Sequence, residues 1–531
     1  MPTNPQGLQP LDWGIIGAYA VGTIAVGWYY GRKQESSREY FVGSGNMNPI
    51  LIGVSLFATL LSTITYLSAP GEVVGKGPVH LATLLALPFV YVIVAFVLLP
   101  VYMRRRVTSA YELLEERLGV GLRTLGATCF LILRLIWMSL LIYLASAAMV
   151  VMLGLDESSI PIVATVTGIV AVVYTSIGGL RAVVVTDLMQ TILLMGGALL
   201  VIIAVTLDYG GFAWVPREWN PNWDKQPLYS FDPKTRVSVL GTFLTTLTWY
   251  VCTAGGDQTS VQRFMATSDA KAAQRAIATQ LCVASAVMLL LCFVGFALLG
   301  YYELHPDLLP KGFSLKDDAD KVFPHFISYQ LPVGISGLVV SAMFAAAMSS
   351  IDSGVNSITA VISTDFLKRF GSEFKTNRGE LLFNKGLAFG IGVIVVIGST
   401  FMGEIPGNIM AVTNKTVNLL APPIFGLFFF ALYVPFARPA AVWISTLLSI
   451  VVAAVIAFSG PLVTWLELRW GIPASTFGVE IQLNNGVRMA PDPISFQWMG
   501  FTSLLVDVVV GTVLSWILSR TAGGTRQGDI S

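Results

Sequence analysis

Residues 341–357 read S-A-M-F-A-A-A-M-S-S-I-D-S-G-V-N-S inside a long apolar stretch. Hydroxyls, one carboxylate and one carboxamide stand where lipid favours Leu and Val. Polar groups in a membrane span are costly, and they face a cavity, a neighbouring helix or an ion. Ser349, Asp352, Ser353 and Asn356 fall at i, i+3, i+4 and i+7, so they share one helical face. That face offers oxygen ligands and suits a hard monovalent cation. Close helix packing through small residues would also explain the serines. It does not explain Asp352, since a lone carboxylate in lipid costs roughly 2.5–3.5 kcal/mol even on lenient scales.

Other polar residues recur in apolar surroundings. In Y-T-S-I-G-G-L-R-A-V-V-V-T-D-L-M-Q, residues 174–190, a glycine pair predicts a tight turn and places Asp187 about two turns into the next helix. Asp187 reads as a carboxylate on a cation path or as an acid reaching the inner surface. G-G-D-Q-T-S-V-Q-R-F, residues 255–264, combines flexible glycines with Asp257 and Arg263, which are expected to pair or to cap a helix. Lys415 lies within an apolar run and must snorkel, pair or face water. Arg134 is expected to pair with an acid, and Asp507 to serve packing at the periphery.

These residues need helices to hold them. The chain of 531 residues is 54% hydrophobic and 12% charged, with net charge +1. That balance excludes a nucleic-acid footprint and fits an all-α polytopic membrane protein. A membrane barrel would show alternating segments of about 10 residues. Thirteen candidate spans follow from apolar runs of about 20 residues: 12–30, 49–70, 79–102, 123–152, 158–178, 182–207, 237–260, 276–302, 333–366, 382–402, 406–435, 439–459 and 497–518. Lysine and arginine concentrate in one set of alternate loops, including Arg104-Arg105-Arg106, Lys368-Arg369 and Arg520. The N-terminus is therefore expected outside and the C-terminus in the cytoplasm. No histidine or cysteine grouping has metal-site or enzyme spacing, so no enzyme is expected.

Spans 2–6 and 7–11 form two sets of five. Each begins with an interrupted helix, near Leu60–Thr65 in one and at Thr253-Ala254-Gly255-Gly256 in the other. Five is odd, so the sets have opposite orientation. Broken helices at matching places in inverted halves mark a transport site near the bilayer midplane. The expected division is a leading helix over 1–30, a first repeat over 49–207, an inverted repeat over 237–435, two peripheral helices over 439–518 and a cytoplasmic tail over 519–531, all within one transmembrane domain.

S-S-I-D-S-G-V-N-S, G-G-L-R-A-V-V-V-T-D-L-M-Q and D-Q-T-S-V-Q-R together resemble the sodium/solute symporter family, which includes sodium/glucose, sodium/proline, sodium/iodide and sodium/multivitamin carriers. The resemblance covers about residues 10–520. Tyr174, Gly178-Gly179-Leu180 and Ala182 are similar to the family's first signature. The segment around Lys415 is similar to the second, with Ala421-Pro422-Pro423 where a Gly-Ala pair is commoner. The resemblance implies a LeuT-type five-plus-five inverted repeat with extra helices, sodium (Na+) as coupling ion and alternating access. It implies a main sodium site made by the carbonyls of Ala58, Leu61 and Ala346 with the hydroxyls of Ser349 and Ser350. It further implies a second sodium site at Asp187, Ser349, Asp352 and Ser353, where Asp352 replaces the usual hydroxyl.

The first broken helix has Ile64-Thr65 where the sugar carriers have a polar Glu-Gln pair, and its A-P-G-E ending resembles the iodide, monocarboxylate and vitamin branch. Thr65, Tyr66, Tyr250 and Thr253 are the expected substrate-cavity residues. The function these features imply is a sodium-coupled secondary active symporter in the plasma (inner) membrane, importing a small organic solute or anion. A sodium/sugar or polyol symporter is the alternative. A transporter-derived sensor is a third reading, disfavoured by the short C-terminal tail.

Overall fold

The computed structural model describes residues 7–524 apart from 33–35, 44, 62, 105–106, 372–373, 375, 405–408 and 485–486. Ser62, Arg105, Arg106 and the tail from residue 525 therefore lie outside the described residues. The leading helix α1 (Pro10–Gly31) and the short α2 (Ser37–Val42) precede a broken pair, α3 (Pro49–Leu60) and α4 (Thr63–Gly75). α5 (Thr83–Val92) continues through a π-helical stretch into α6 (Leu99–Tyr102). The long helices α7 (Glu112–Leu153) and α8 (Ile160–Tyr209) follow. α9 (Val239–Gly256) and α10 (Gln258–Met265) form the second broken pair. Next come α11 (Ala270–Leu304), α12 (Ala319–Tyr329), α13 (Ile335–Val361), α14 (Asn377–Ser399) and α15 (Ile409–Tyr433). α16 (Pro439–Ala457), α17 (Ser459–Trp470) and α18 (Met499–Gly524) end the chain. A two-stranded antiparallel hairpin, β1 (Gln482–Asn484) and β2 (Val487–Met489), lies between α17 and α18.

Among the described residues, ten helices are long and apolar enough to cross a membrane, or eleven if α3 and α4 count as one bent span. The expected spans 158–178 and 237–260 are helical but fall outside that number. The first supplies a shorter apolar stretch, Glu157–Val173. The second, α9, carries Thr242, Thr245, Thr246, Thr248 and Thr253, which dilute its apolar character.

Three breaks position the site. α3 stops at Leu60, and Leu61 turns to extended backbone at φ −77°, ψ 122°. α4 then departs at 61°. A helix that stops leaves its last carbonyls without helical N–H partners; the Phe57 carbonyl still accepts from the Leu61 N–H at 2.8 Å, and the segment Ala58–Leu61 beyond it presents oxygen. In α8, Gly179 adopts φ 61°, ψ 177°, a conformation open to glycine, and bends the chain before Asp187. The third break differs from the expected one. α9 stays helical through Gly255-Gly256, and the interruption falls at Asp257, φ −93°, ψ 123°. Asp257 Oδ1 accepts the Thr259 N–H at 2.8 Å and starts α10. The glycines serve close packing instead: a Cβ on Gly255 would lie 2.5 Å from the Phe425 ring, and one on Gly256 would lie 3.1 Å from the Phe425 backbone.

α13 sits at the centre, packed chiefly against α8 and flanked by α1, α7 and α14. Its small residues allow this approach. A Cβ on Gly354 would meet the Met138 sulfur at 2.3 Å. As a result the whole polar face from Ser349 to Ser357 is buried.

Candidate functional site: a cation crevice beside a solute cavity

The Ser350 hydroxyl donates across the break in the first helix, to Thr59 O at 3.1 Å and to Leu61 O at 3.2 Å. Ala346 lies one turn earlier on α13 and Ala58 in the last turn of α3, both buried. Of the expected main-site set, the structure thus brings Ser350 and Leu61 into contact, and Ala58 and Ala346 are buried on the same two helices, α3 and α13. The cluster is made of hydroxyl and carbonyl oxygens, the donor chemistry a monovalent hard cation takes.

Ser349 turns to a different partner. Its hydroxyl donates to Asp187 Oδ1 at 2.5 Å, while the Ser55 hydroxyl donates to Asp187 Oδ2 at 2.5 Å. The Arg263 guanidinium lies against the same carboxylate, Nη2 to Oδ2 3.6 Å. Arg263 also donates from Nε to Ser55 at 2.8 Å, from Nη2 to Ser353 at 2.5 Å and from Nη1 to Thr259 O at 3.2 Å. Ser353 and Thr59 share a further hydrogen bond of 2.8 Å. Asp187, Ser349 and Ser353 therefore converge. Asp352 is fully buried on the same helix. Ser55, Thr59 and Arg263 are members of this site that sequence reasoning missed. Ser55 and Thr59 carried a legible signal, since they are four residues apart and share one face of α3.

Beside the crevice lies a cavity of about 160 Å³. Its walls include Leu61, Thr65, Ser68, His80, Trp137, Trp249, Tyr250, Gln280, Thr413 and Asn414, and no lysine, arginine, aspartate or glutamate lines it among the described residues. Among the described residues, Ser68 Oγ, His80 Nδ1 and Thr413 Oγ1 are buried without a hydrogen-bond partner. Buried polar groups are ordinarily satisfied, so these three are available to a polar solute. A smaller pocket adjoins it through Leu60, Trp137, Trp249 and Val417, and adds Arg134, Thr253 and Asp257. Of the expected cavity residues, Thr65 and Tyr250 line the main cavity and Thr253 the smaller pocket. Tyr66 does not. Its ring packs on Phe323 at 5.5 Å, and its hydroxyl reaches toward Gly197. Neighbouring residues on a helix point about 100° apart, so Thr65 and Tyr66 cannot face the same space.

The ion pairs decide among the expected alternatives: Arg134 meets an acid, Asp257 caps a helix, and Lys415 is paired. Asp257 pairs with Arg134, not with Arg263. Lys415 bonds to Asp492 at 2.5 Å rather than snorkelling alone, and Asp492 also accepts the Gly460 N–H at 3.0 Å. Asp507 is fully buried on α18, against Gly426 of α15.

A buried oxygen crevice at a broken helix, sharing Leu61 with a solute cavity inside a helical membrane core, defines an ion-coupled transporter. The sodium:solute symporter family profile matches residues 40–457. A sodium/sialic acid symporter of Aliivibrio fischeri is 29% identical over 436 residues, covering 81% of this chain and 84% of that protein. The human sodium-coupled monocarboxylate transporter 1 is 26% identical over 441 residues, covering 80% and 70%. The solved structure of a Na+-coupled sialic acid symporter, substrate-bound and outward-open, superposes with a TM-score of 0.74 at 23% identity, covering 96% of this chain and 98% of that one. The chain belongs to the sodium:solute symporter family: it is a multi-pass membrane protein of LeuT-type fold and a sodium-coupled symporter of small organic solutes.

Proposed function

We propose that this chain imports a small organic solute bearing a carboxylate, driven by sodium bound between the first broken helix and α13. One observation carries the coupling: Leu61 belongs to both places. Its carbonyl meets Ser350, and the same residue lines the solute cavity. Sodium held by the Leu61, Ala58 and Ala346 carbonyls with the Ser350 hydroxyl would draw the broken end of α3 onto α13 and so set the cavity wall. A ligand shifts an equilibrium by its differential affinity for the two states, and sodium bound there favours the state with a formed cavity. The solute then favours closure, after which the inner side opens.

Two features support a carboxylate. Among the described residues, the main cavity has no acidic side chain to repel it. Arg134 lines the adjoining pocket, and its Nε is buried without an acceptor among the described residues. The named substrates of the relatives, sialic acid and monocarboxylates, are also acids. The uncharged Ser68, His80, Gln280 and Thr413 favour a second reading, a neutral polyol or sugar. We place the two inverted repeats at 49–207 and 237–435, the N-terminus outside, the C-terminus in the cytoplasm, and the protein in the plasma membrane.

The test is sodium-dependent uptake into proteoliposomes, with sialic acid, short monocarboxylates, glucose and inositol offered separately. The expected result is accumulation of one or more acids and loss of at least tenfold in uptake for Arg134→Gln. Accumulation confined to the neutral solutes, with Arg134→Gln unaffected, would establish the second reading.

A further inference from the structure

Resemblance to the family implies a second sodium among Asp187, Ser349, Asp352 and Ser353. The structure shows what those oxygens are doing. Asp187 Oδ1 accepts from Ser349, and Oδ2 accepts from Ser55 beside the guanidinium. Ser353 accepts from Arg263 and is bonded to Thr59. A cation already stands among them. Arg263 is fully buried, as are Asp187 and Ser353, and its charge cannot be removed by titration in a protein. Among the described residues, the Arg134–Asp257 pair is a separate buried ion pair, and Asp352 is fully buried on α13.

We propose that the Arg263 guanidinium is this chain's second cation, built into the polypeptide, and that the protein binds a single exchangeable sodium, at the Ser350–Leu61 crevice. The physical argument has two parts. A sodium ion needs several oxygen lone pairs turned toward it, and here Ser353 already accepts from the guanidinium and Asp187 Oδ2 already lies against it. Like charges at close range in a low-dielectric interior repel strongly, so the fixed cation opposes a mobile one. Arg263 also does the mechanical work of an ion. It connects α3 through Ser55, α8 through Asp187 and α13 through Ser353. It is a positioning residue, acting on the crevice through Ser55, Ser353 and the neighbouring Thr59.

This inference rests on the reading of Ser350 and Leu61 as the sodium site, and the experiment separates the two. Equilibrium binding of radioactive sodium to the full chain in nanodiscs counts ions per protein. The expected value is one, lost in Ser350→Ala and retained in Asp187→Asn. Arg263→Lys, which keeps the charge, also retains one. Arg263→Gln, which keeps donors and removes the charge, gains a second ion. Two sodium ions in the unmodified protein would overturn the proposal, even if no Arg263 variant folds. So would a single ion that is lost in Asp187→Asn and kept in Ser350→Ala. Absence of any bound sodium would overturn the underlying assignment and this inference together.

Discussion

In the proposed mechanism, Ser350 is the side chain on which coupling turns. It is buried, and its hydroxyl spans from α13 to two carbonyls of a helix that has ended. Carbonyls at such an end are obligatory acceptors with no helical donor. Replacing the hydroxyl with hydrogen removes one oxygen from a small ligand set and leaves the fold's apolar contacts intact. Ser350→Ala is therefore expected to weaken sodium-induced thermal stabilisation by at least tenfold in apparent affinity while expression and the sodium-free Tm hold. An unchanged sodium dependence would refute the assignment. The adjacent Ser349 shows how finely this is set. One residue earlier on the same helix, its hydroxyl points to Asp187 and belongs to the fixed ion cluster.

The two broken helices are built by different means. α3 ends in an extended residue, Leu61, and its freed oxygens face the crevice. α9 ends at Asp257, and the oxygens left at its end are satisfied by tyrosines. Tyr102 donates to Gly255 O, and Tyr111 donates to Gly256 O at 3.1 Å. The side chain of Gln258 adds bonds to Ala110 N at 2.7 Å and Thr108 O at 2.8 Å. The second break is thus clamped to the segment between α6 and α7, whereas at the first the Thr59 and Leu61 carbonyls accept the Ser350 hydroxyl of α13. Gly255 also lets α15 approach α9 closely. Gly255→Ala places a methyl 2.5 Å from a ring carbon of Phe425, and overpacking of this kind costs about 1–3 kcal/mol. A lower Tm is expected for Gly255→Ala, restored in part by adding Phe425→Leu. No recovery in the double variant would show that the glycine is needed for something other than space.

For the molecule as a whole, the balance of moving charge follows from the site. One sodium travelling with a monovalent carboxylate carries no net charge across the membrane. One sodium with a neutral solute carries one, worth about 2.3 kcal/mol per 100 mV. With a fixed arginine in place of a second sodium, uptake of an acid is expected to follow the sodium concentration gradient and to ignore an imposed potential. Potassium-diffusion potentials across proteoliposomes measure this directly. Accumulation of an acid that rises with inside-negative potential would require more than one sodium per cycle.

Much of this was legible in linear sequence because it depends on short-range patterns. Apolar runs of about 20 residues report the solvent, the 3.6-residue period places Ser349, Asp352, Ser353 and Asn356 on one face, and polar or glycine interruptions report that a helix breaks. Membrane class, transporter architecture and the Ser350–Leu61 pairing all follow from such patterns together with the family resemblance. What they do not contain is direction and distance. Each residue turns a helix by about 100°, so Thr65 faces the cavity while Tyr66 faces Phe323. Hydrogen-bonded side chains from different helices of the crevice are 90 to 294 residues apart. Which arginine meets which aspartate was therefore set by packing: Arg134 with Asp257, and Arg263 with Asp187. A buried charge needs a partner wherever the fold supplies one, and only the folded arrangement of α3, α8, α10 and α13 shows that an arginine lies where a second ion was expected.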